Sequence, residues 1–186
     1  MATNKELLIN VDNRIIYFSN DVDNWSVSQA CFNIDCWNAY DDADEKKLAN
    51  PTRQPIHLYI NTKGGDVYDM WALVDVIEKS KTPVYTYCNG YAMSAGFLIY
   101  LAGHKRFASR HANFMYHQIY MRRSDKYQDL VDNREQDDYL QDELEKYVME
   151  RTKITKESIE KLRNTKTDMY IHLDEAIDLG IVTDRL

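Results

Sequence analysis

"IHLYINTKGGDVYDMWALVDVIEKS" (56–80) and, two residues later, "PVYTYCNGYAMSAGFLIYLAG" (83–103) decide the fold. Each begins as a short β-rich run, passes through small turn-forming residues and ends with apolar side chains at helical spacing. The first predicts a strand over 56–61, the turn "TKGGD" and an amphipathic helix over 67–80. The second predicts a strand near 84–88 and a helix near 95–102. Strands joined through helices in this way lie parallel, because a parallel pair needs a crossover connection. The alternation therefore predicts an α/β domain.

Outward from this centre the pattern continues. "NRIIYFSNDV" (13–22) reads as a strand, and Val27, Ala30, Cys31, Ile34 and Trp37 place an amphipathic helix over 25–39. "NAYDDADEKKLANPTRQP" (38–55) is charged and holds two prolines, which predicts a surface loop or a frayed helix end. "KRFASRHANFMYHQ" (105–118) predicts short strands about a turn. From Ser124 to Arg151 the chain is dense in charge and free of Gly and Pro, with Leu140, Leu144, Tyr147 and Val148 at helical spacing. That predicts a long, mostly solvated helix whose narrow apolar stripe packs on a partner rather than within its own subunit. Thr155 is the expected N-cap of a helix over 156–163, and Gly180 the stop of a helix over 174–179. The chain divides into an N-terminal segment (1–13), a head (14–123), the charged helix (124–151) and a closing segment (152–186), all in one domain.

Composition narrows the function. A chain of 186 residues with 44% hydrophobic content supports one sizeable core. The net charge is −7 and the one compact basic cluster is Arg122-Arg123, so no face suits a phosphate backbone and nucleic acid is not an expected partner. The longest apolar stretch, Ala95 to Ala102, is too short to span a bilayer. The start "MATNKELLINVDN" lacks the apolar core of a secretory signal, which predicts a cytoplasmic protein. Cys31, Cys36 and Cys88 are odd in number and form no zinc-ligand pattern, so they read as reduced structural thiols. His57, His104, His111 and His172 show no metal-ligand pairing, and no metal is expected.

Ser94 lies between the second strand and its helix, where α/β proteins carry reactive groups. Two readings stand: a serine N-cap, or a nucleophile beside free amides, among them that of Ala95. The elbow pattern G-x-S-x-G is half present, with Gly96 in place and Ala92 where the first glycine belongs. Gly64-Gly65 is either a plain βα turn or a segment whose amide can face a reacting carbonyl; it matches no phosphate-binding fingerprint. His117 ends an apolar strand-like run, and a serine nucleophile needs such a base. Thirty acidic residues leave the third partner open.

Taken together, "YINTKGGDVYDMWALVDVI", "CNGYAMSAGFLIYLAGHKRFASRHANFMYHQ" and "TDMYIHLDEAIDLGIVTD" resemble the Clp-type serine proteases, the ClpP family, from about Arg14 to the C-terminus. The resemblance implies the crotonase-like α/β spiral, with helix 124–151 as the protruding handle. It implies Ser94 as nucleophile, His117 as base and then acid, and Asp168 as third triad member, ahead of Asp174 and Asp178. The amides of Gly65 and Ala95 correspond to the oxyanion hole. An extended peptide would bind along Gly64, Asp66 and Val67 on one side and Gln118 and Ile119 on the other. No cofactor is implied; ATP enters only through a separate AAA+ unfoldase. The implied assembly is a homo-oligomer of heptameric rings stacked as a tetradecamer.

The chain departs from that family in three places. "IYMRRSDKY" replaces the proline and glycines that follow the His-Gln pair, Asp66 stands where small or apolar residues are usual, and the segment before Arg14 is short. These departures are similar to those of bacteriophage Clp-like proteases, some linked to capsid maturation, so the expected compartment is a bacterial or host cytosol. The rival readings are a catalytically idle Clp-like scaffold subunit, an acyl-CoA enzyme of the wider crotonase fold, and a peptidase with a Ser–Lys dyad.

Overall fold

The computed structural model describes residues 6–49, 51–121 and 126–185. In chain order its elements are β1 (Leu8–Asn10), β2 (Ile15–Phe18), α1 (Asn24–Glu45), β3 (Ile56–Thr62), α2 (Val67–Lys79), β4 (Val84–Met93) and α3 (Ala95–Leu101). There follow β5 (Lys105–Ala108), β6 (Asn113–Tyr116), α4 (Tyr127–Arg151), α5 (Lys156–Thr165), β7 (Met169–His172), α6 (Leu173–Asp178) and β8 (Asp184–Arg185).

β2, β3, β4 and β5 pair in parallel, joined by α1, α2 and α3 as crossovers; β1 is antiparallel at one edge and β8 parallel at the other. Along β3, Ile56, Leu58, Ile60 and Thr62 turn inward and are buried, the two-residue period of a strand with one face on the core. On the opposite face, Tyr17, Tyr59, Tyr87 and Phe107 form a stacked row across four strands, with successive centroids 4.7, 4.6 and 4.8 Å apart. Each such contact contributes about 0.5–1.5 kcal/mol beyond area burial.

β4 reaches farther than its sequence suggests. Residues 84–88 pair with β3 and β5, but Tyr91, Ala92 and Met93 pair with β6, which in turn pairs antiparallel with β7. The strand thus stays paired with β3 as far as Ala92, opposite Thr62, exchanges β5 for β6 on its other side, and delivers its last residue to the mouth of α3. Every residue of α3 is buried. That accounts for the uninterrupted "FLIYLA": a helix covered on all sides has no polar face.

The far end of α3 is closed by two arginines. The Leu101 carbonyl accepts from Arg151 Nη2 at 2.8 Å and Nε at 3.0 Å, and from Arg106 Nη1 at 3.3 Å. Arg106 is buried and forms no ion pair with a carboxylate among the described residues; it also donates to the carbonyls of Ile181 (2.7 Å) and Gly180 (2.7 Å). Cations at a helix C-terminus satisfy orphan carbonyls and complement the dipole. Burial pushes the Arg106 guanidinium below its ordinary value, with Arg151 adding to the effect.

Three sequence expectations change. The strand over 13–22 is β2 alone, with β1 as its hairpin partner before Arg14. The loop from residue 38 is helical to Glu45, since its acids are paired: Asp41 with Arg14 (2.6 Å) and Thr82 (2.6 Å), Glu45 with Arg53 (2.7 Å). The apolar stripe of α4 does not wait for a partner: Leu140, Leu144, Tyr147 and Val148 are all buried within this subunit. Tyr127, Val131 and Tyr139 of the same helix stay exposed. Residues 124 and 125, where the helix was expected to begin, lie outside the described residues. Thr155 caps α5 as expected, accepting from Ser158 N–H, and Gly180 follows α6 at φ 69°.

Arg106→Met should strand several buried carbonyls and lower the unfolding free energy by about 3 kcal/mol. Arg134→Met, which loses only a solvent-exposed 3.7 Å pair with Asp138, should cost less than about 0.5 kcal/mol. Urea midpoints of the two variants measure the contrast.

Candidate active site

Ser94 follows the last residue of β4 and precedes the first of α3, with φ 53° and ψ −126°. A side chain in that region of backbone space costs roughly 1–3 kcal/mol. Its hydroxyl makes no cap hydrogen bond to α3, although its carbonyl accepts from Phe97 N–H at 2.9 Å. Of the two readings open in the sequence, the side-chain cap is therefore set aside. The hydroxyl instead meets His117: Oγ and Nε2 are 2.7 Å apart.

Sheet register brings these two together. β4 and β6 run parallel with Met93 opposite Met115, and the Ser94 N–H donates to the Met115 carbonyl at 2.8 Å. His117 lies one residue beyond β6, so serine and imidazole leave adjacent strands at the same level. A hydroxyl at this distance can pass its proton to the imidazole as it attacks an electrophile.

Gly64 stands against the serine. A Cβ on Gly64 would sit 2.8 Å from Ser94 Cβ and 2.9 Å from Ala95 N, at a φ of 107° that side chains rarely adopt. Gly65 is as confined, since a Cβ there would come within 2.1 Å of the Val22 carbonyl. The glycine pair is thus fixed by the approach of two other segments, beyond the demands of a βα turn. Neither Gly65 N–H nor Ala95 N–H donates to another described residue, and both residues line the cavity at Ser94 and His117.

The cavity holds about 310 Å³. Beside Ser94 and His117 its walls include Met70, Leu98, Tyr116 and Leu144, an apolar set drawn from α2, α3, β6 and α4. The Tyr116 hydroxyl is buried, near Gln141 but without a hydrogen-bond partner, and burial pushes its pKa up. Asp66 also lines the cavity, but its Oδ1 caps α2, accepting from Tyr68 N–H (2.8 Å) and Asp69 N–H (3.1 Å). Burial first, then Asp66 and Asp23, hold the Asp69 carboxyl above the ordinary carboxylate range. No lysine is among the cavity's lining residues.

The two expected strand-binding walls are partly occupied. Val22 N–H donates to the Gly64 carbonyl (2.9 Å) and Asp66 N–H to the Val22 carbonyl (2.8 Å), which leaves the Gly65 N–H and C=O as the free pair beside Val67. On the other wall, Ile119 N–H donates to Gln141 Oε1 at 2.7 Å, so Ile119 cannot offer that donor to a peptide. Gln118 lines the cavity with its own N–H unspent.

Asp168 is not joined to His117. It is exposed, makes no hydrogen bond to the imidazole, and lines a separate hollow with Ser158, Leu162 and Thr165 of α5. Its backbone place is nonetheless close: β6 and β7 are antiparallel with Tyr116 opposite Met169, so one further step sets position 168 opposite 117. Directly opposed side chains share a face, with Cβ atoms about 4.5–5.5 Å apart. Asp174 and Asp178 lie beyond the other end of this ladder, where Asn113 faces His172.

Sequence reasoning did not find Gln141, Met70 or Leu98. Leu144 belongs to the helical stripe read in the sequence, but Gln141 sits in a run of charge with nothing to single it out. Among the described residues no cluster of His, Cys, Asp and Glu could hold a metal ion, and no helix is long and apolar enough to cross a membrane.

Comparison with known proteins adds a second line of observation. The Clp protease family model matches residues 11–185. ATP-dependent Clp protease proteolytic subunit 1 of Prochlorococcus marinus subsp. pastoris is 31% identical over 136 residues, 72% of this chain and 68% of the relative. Proteolytic subunit 2 of a Synechococcus species is 30% identical with the same coverage. A ClpP1 point mutant from Listeria monocytogenes superposes with a TM-score of 0.78 at 22% identity, covering 95% of this chain and 92% of that one. The α/β fold expected from the sequence is the fold these proteins share.

If the positive φ at Ser94 is held against strain, Ser94→Gly should relieve it. We expect Ser94→Gly to be more stable than Ser94→Ala by about 1 kcal/mol, read as a higher urea midpoint.

Proposed function

The chain belongs to the Clp protease family, and from that premise we propose that it is a serine endopeptidase acting on peptides or unfolded protein. Ser94 attacks the scissile carbonyl while His117 takes its proton and later returns it to the leaving amine. Asp168 turns toward His117, fixes the tautomer and stabilises the imidazolium. The Gly65 and Ala95 amides receive the oxyanion. Substrate lies extended between Gly65 and Gln118, bonded through its main chain, with one side chain in the apolar cavity.

The observation that carries this reading is the 2.7 Å Ser94–His117 contact at a serine held with positive φ and no cap bond. A lone capping serine needs neither feature. In the assembly proposed, heptameric rings stack as a tetradecamer, and an AAA+ partner feeds unfolded chains using ATP in the cytoplasm.

A second reading rests on one observation, the absence of a hydrogen bond between Asp168 and His117. It is that of an idle scaffold subunit in a mixed ring. Covalent labelling by a fluorophosphonate separates the two. We expect adduct on Ser94 in the wild type and none in Ser94→Ala; a folded wild type left unlabelled supports the idle subunit. His117→Ala should reduce hydrolysis of a fluorogenic peptide by about 10³-fold or more, where a Ser–Lys mechanism would keep most of it.

A further inference from the structure

One carboxylate connects the two arms of the chain that carry His117 and Asp168. The His117 arm has no regular secondary structure after β6, and its first fixed point is Ile119, whose N–H donates to Gln141 Oε1 on α4. Gln141 Nε2 in turn donates to Glu145 Oε1 at 2.7 Å, one turn along the same helix. The Asp168 arm emerges from α5, whose last turn holds Arg163. Arg163 donates through Nε to the same Glu145 Oε1 at 2.9 Å, and through Nη2 as well.

Glu145 is buried, and one of its oxygens thus receives three donors from two directions. Among the acids of α4 in this neighbourhood, Asp142 is largely exposed and Glu143 half-buried; Asp142 meets Arg163 only at 3.5 Å. A buried carboxylate is costly unless its partners are in place. That cost ties both arms to α4: withdrawal of Arg163 leaves the buried charge unpaired, and withdrawal of Gln141 removes one of its three donors.

The register already sets position 168 opposite position 117, so what remains is the depth at which each arm is held. Resting on the Ser–His–Asp reading above, we infer that Glu145 is a positioning residue: through Gln141 and Arg163 it sets the approach of Asp168 to His117. The charged and titratable groups around the imidazole are Asp66 across the cavity, Asp168 opposite it beside β7, Tyr116 and Tyr120 on its own arm, and Glu145 with Arg163 behind that arm. Among the acids, Asp168 is the one whose distance to His117 the relay controls. A carboxylate brought near the imidazole favours its protonated form, so loosening the relay should make His117 harder to protonate.

The experiment compares wild type, Arg163→Met, Glu145→Ala, Glu145→Gln and Asp168→Asn as full chains. It measures the pH dependence of Ser94 labelling by a fluorophosphonate, with kcat and KM on a fluorogenic peptide. Arg163 is 43% exposed in its side chain, so its variant tests the relay even if Glu145→Ala fails to fold. Arg163→Met and Glu145→Ala should lose about 10²-fold in kcat with KM changed less than about twofold. Their acid limb should move to lower pH by about one unit, toward that of Asp168→Asn. Glu145→Gln, which keeps an acceptor oxygen, should recover most of the rate. An unshifted acid limb in folded Arg163→Met overturns the inference, as does an unshifted limb in Asp168→Asn. Both leave the peptidase reading standing if Ser94 is labelled in the wild type, whereas an unlabelled wild type removes the two together.

Discussion

Helix α3 is buried on all sides, and the site depends on where its first residue is held. At one end, Arg106 and Arg151 take the helix carbonyls into guanidinium hydrogen bonds. At the other, β4 arrives paired with β6 and must turn into the helix within a single residue, Ser94. No side chain of α3 can move without opening a void in the core, and a void costs both burial and contact energy. The turn is thus clamped from its helix side by packing and from its strand side by the bond to Met115. Backbone strain at Ser94 persists because its surroundings over-determine it.

The same clamp explains the glycines. Gly64 comes as close to Ser94 as its missing Cβ permits, and Gly65 packs its backbone against Val22. With Val22 using the Gly64 carbonyl and the Asp66 amide, one edge of the segment is closed by ordinary sheet bonding, and the Gly65 amide is left without a backbone partner among the described residues. Specific placement of two amides therefore follows from strand geometry, and the acid next to them is prevented from intruding by its role as the α2 cap. Asp66 thus has a local role as the cap of α2.

The parallel sheet and its crossover helices were legible because each leaves a local trace, whereas Ser94 and His117 were singled out only by the resemblance at three separated motifs. Period-two burial marks β3, apolar periodicity marks α2, and small residues surround Ser94. The helical continuation to Glu45 was hidden because polar side chains read as loop until Arg14 and Arg53 are known to lie beside them. The burial of Leu140, Leu144, Tyr147 and Val148 was misjudged for a related reason: a narrow stripe shows that something covers it, and cannot show whether the cover is the same chain. Gln141 left no trace at all. Its importance lies in a bond to Ile119 across a segment without periodicity, and such a contact exists only in three dimensions.

The site also joins two kinds of constraint with different stiffness. Ser94 and His117 are set by hydrogen-bonded strands of one sheet, where a shift of either means breaking register, and register slips move every side chain to the wrong face. Asp168 sits just outside that ladder and takes its position from α5, which is held to α4 by side chains. Loss of a side-chain bond moves a helix end by fractions of an ångström without unfolding anything, while loss of a strand register is all or none. Under the proposed mechanism, Ser94 and His117 are therefore the fixed pair of this site, and Asp168 is its adjustable member.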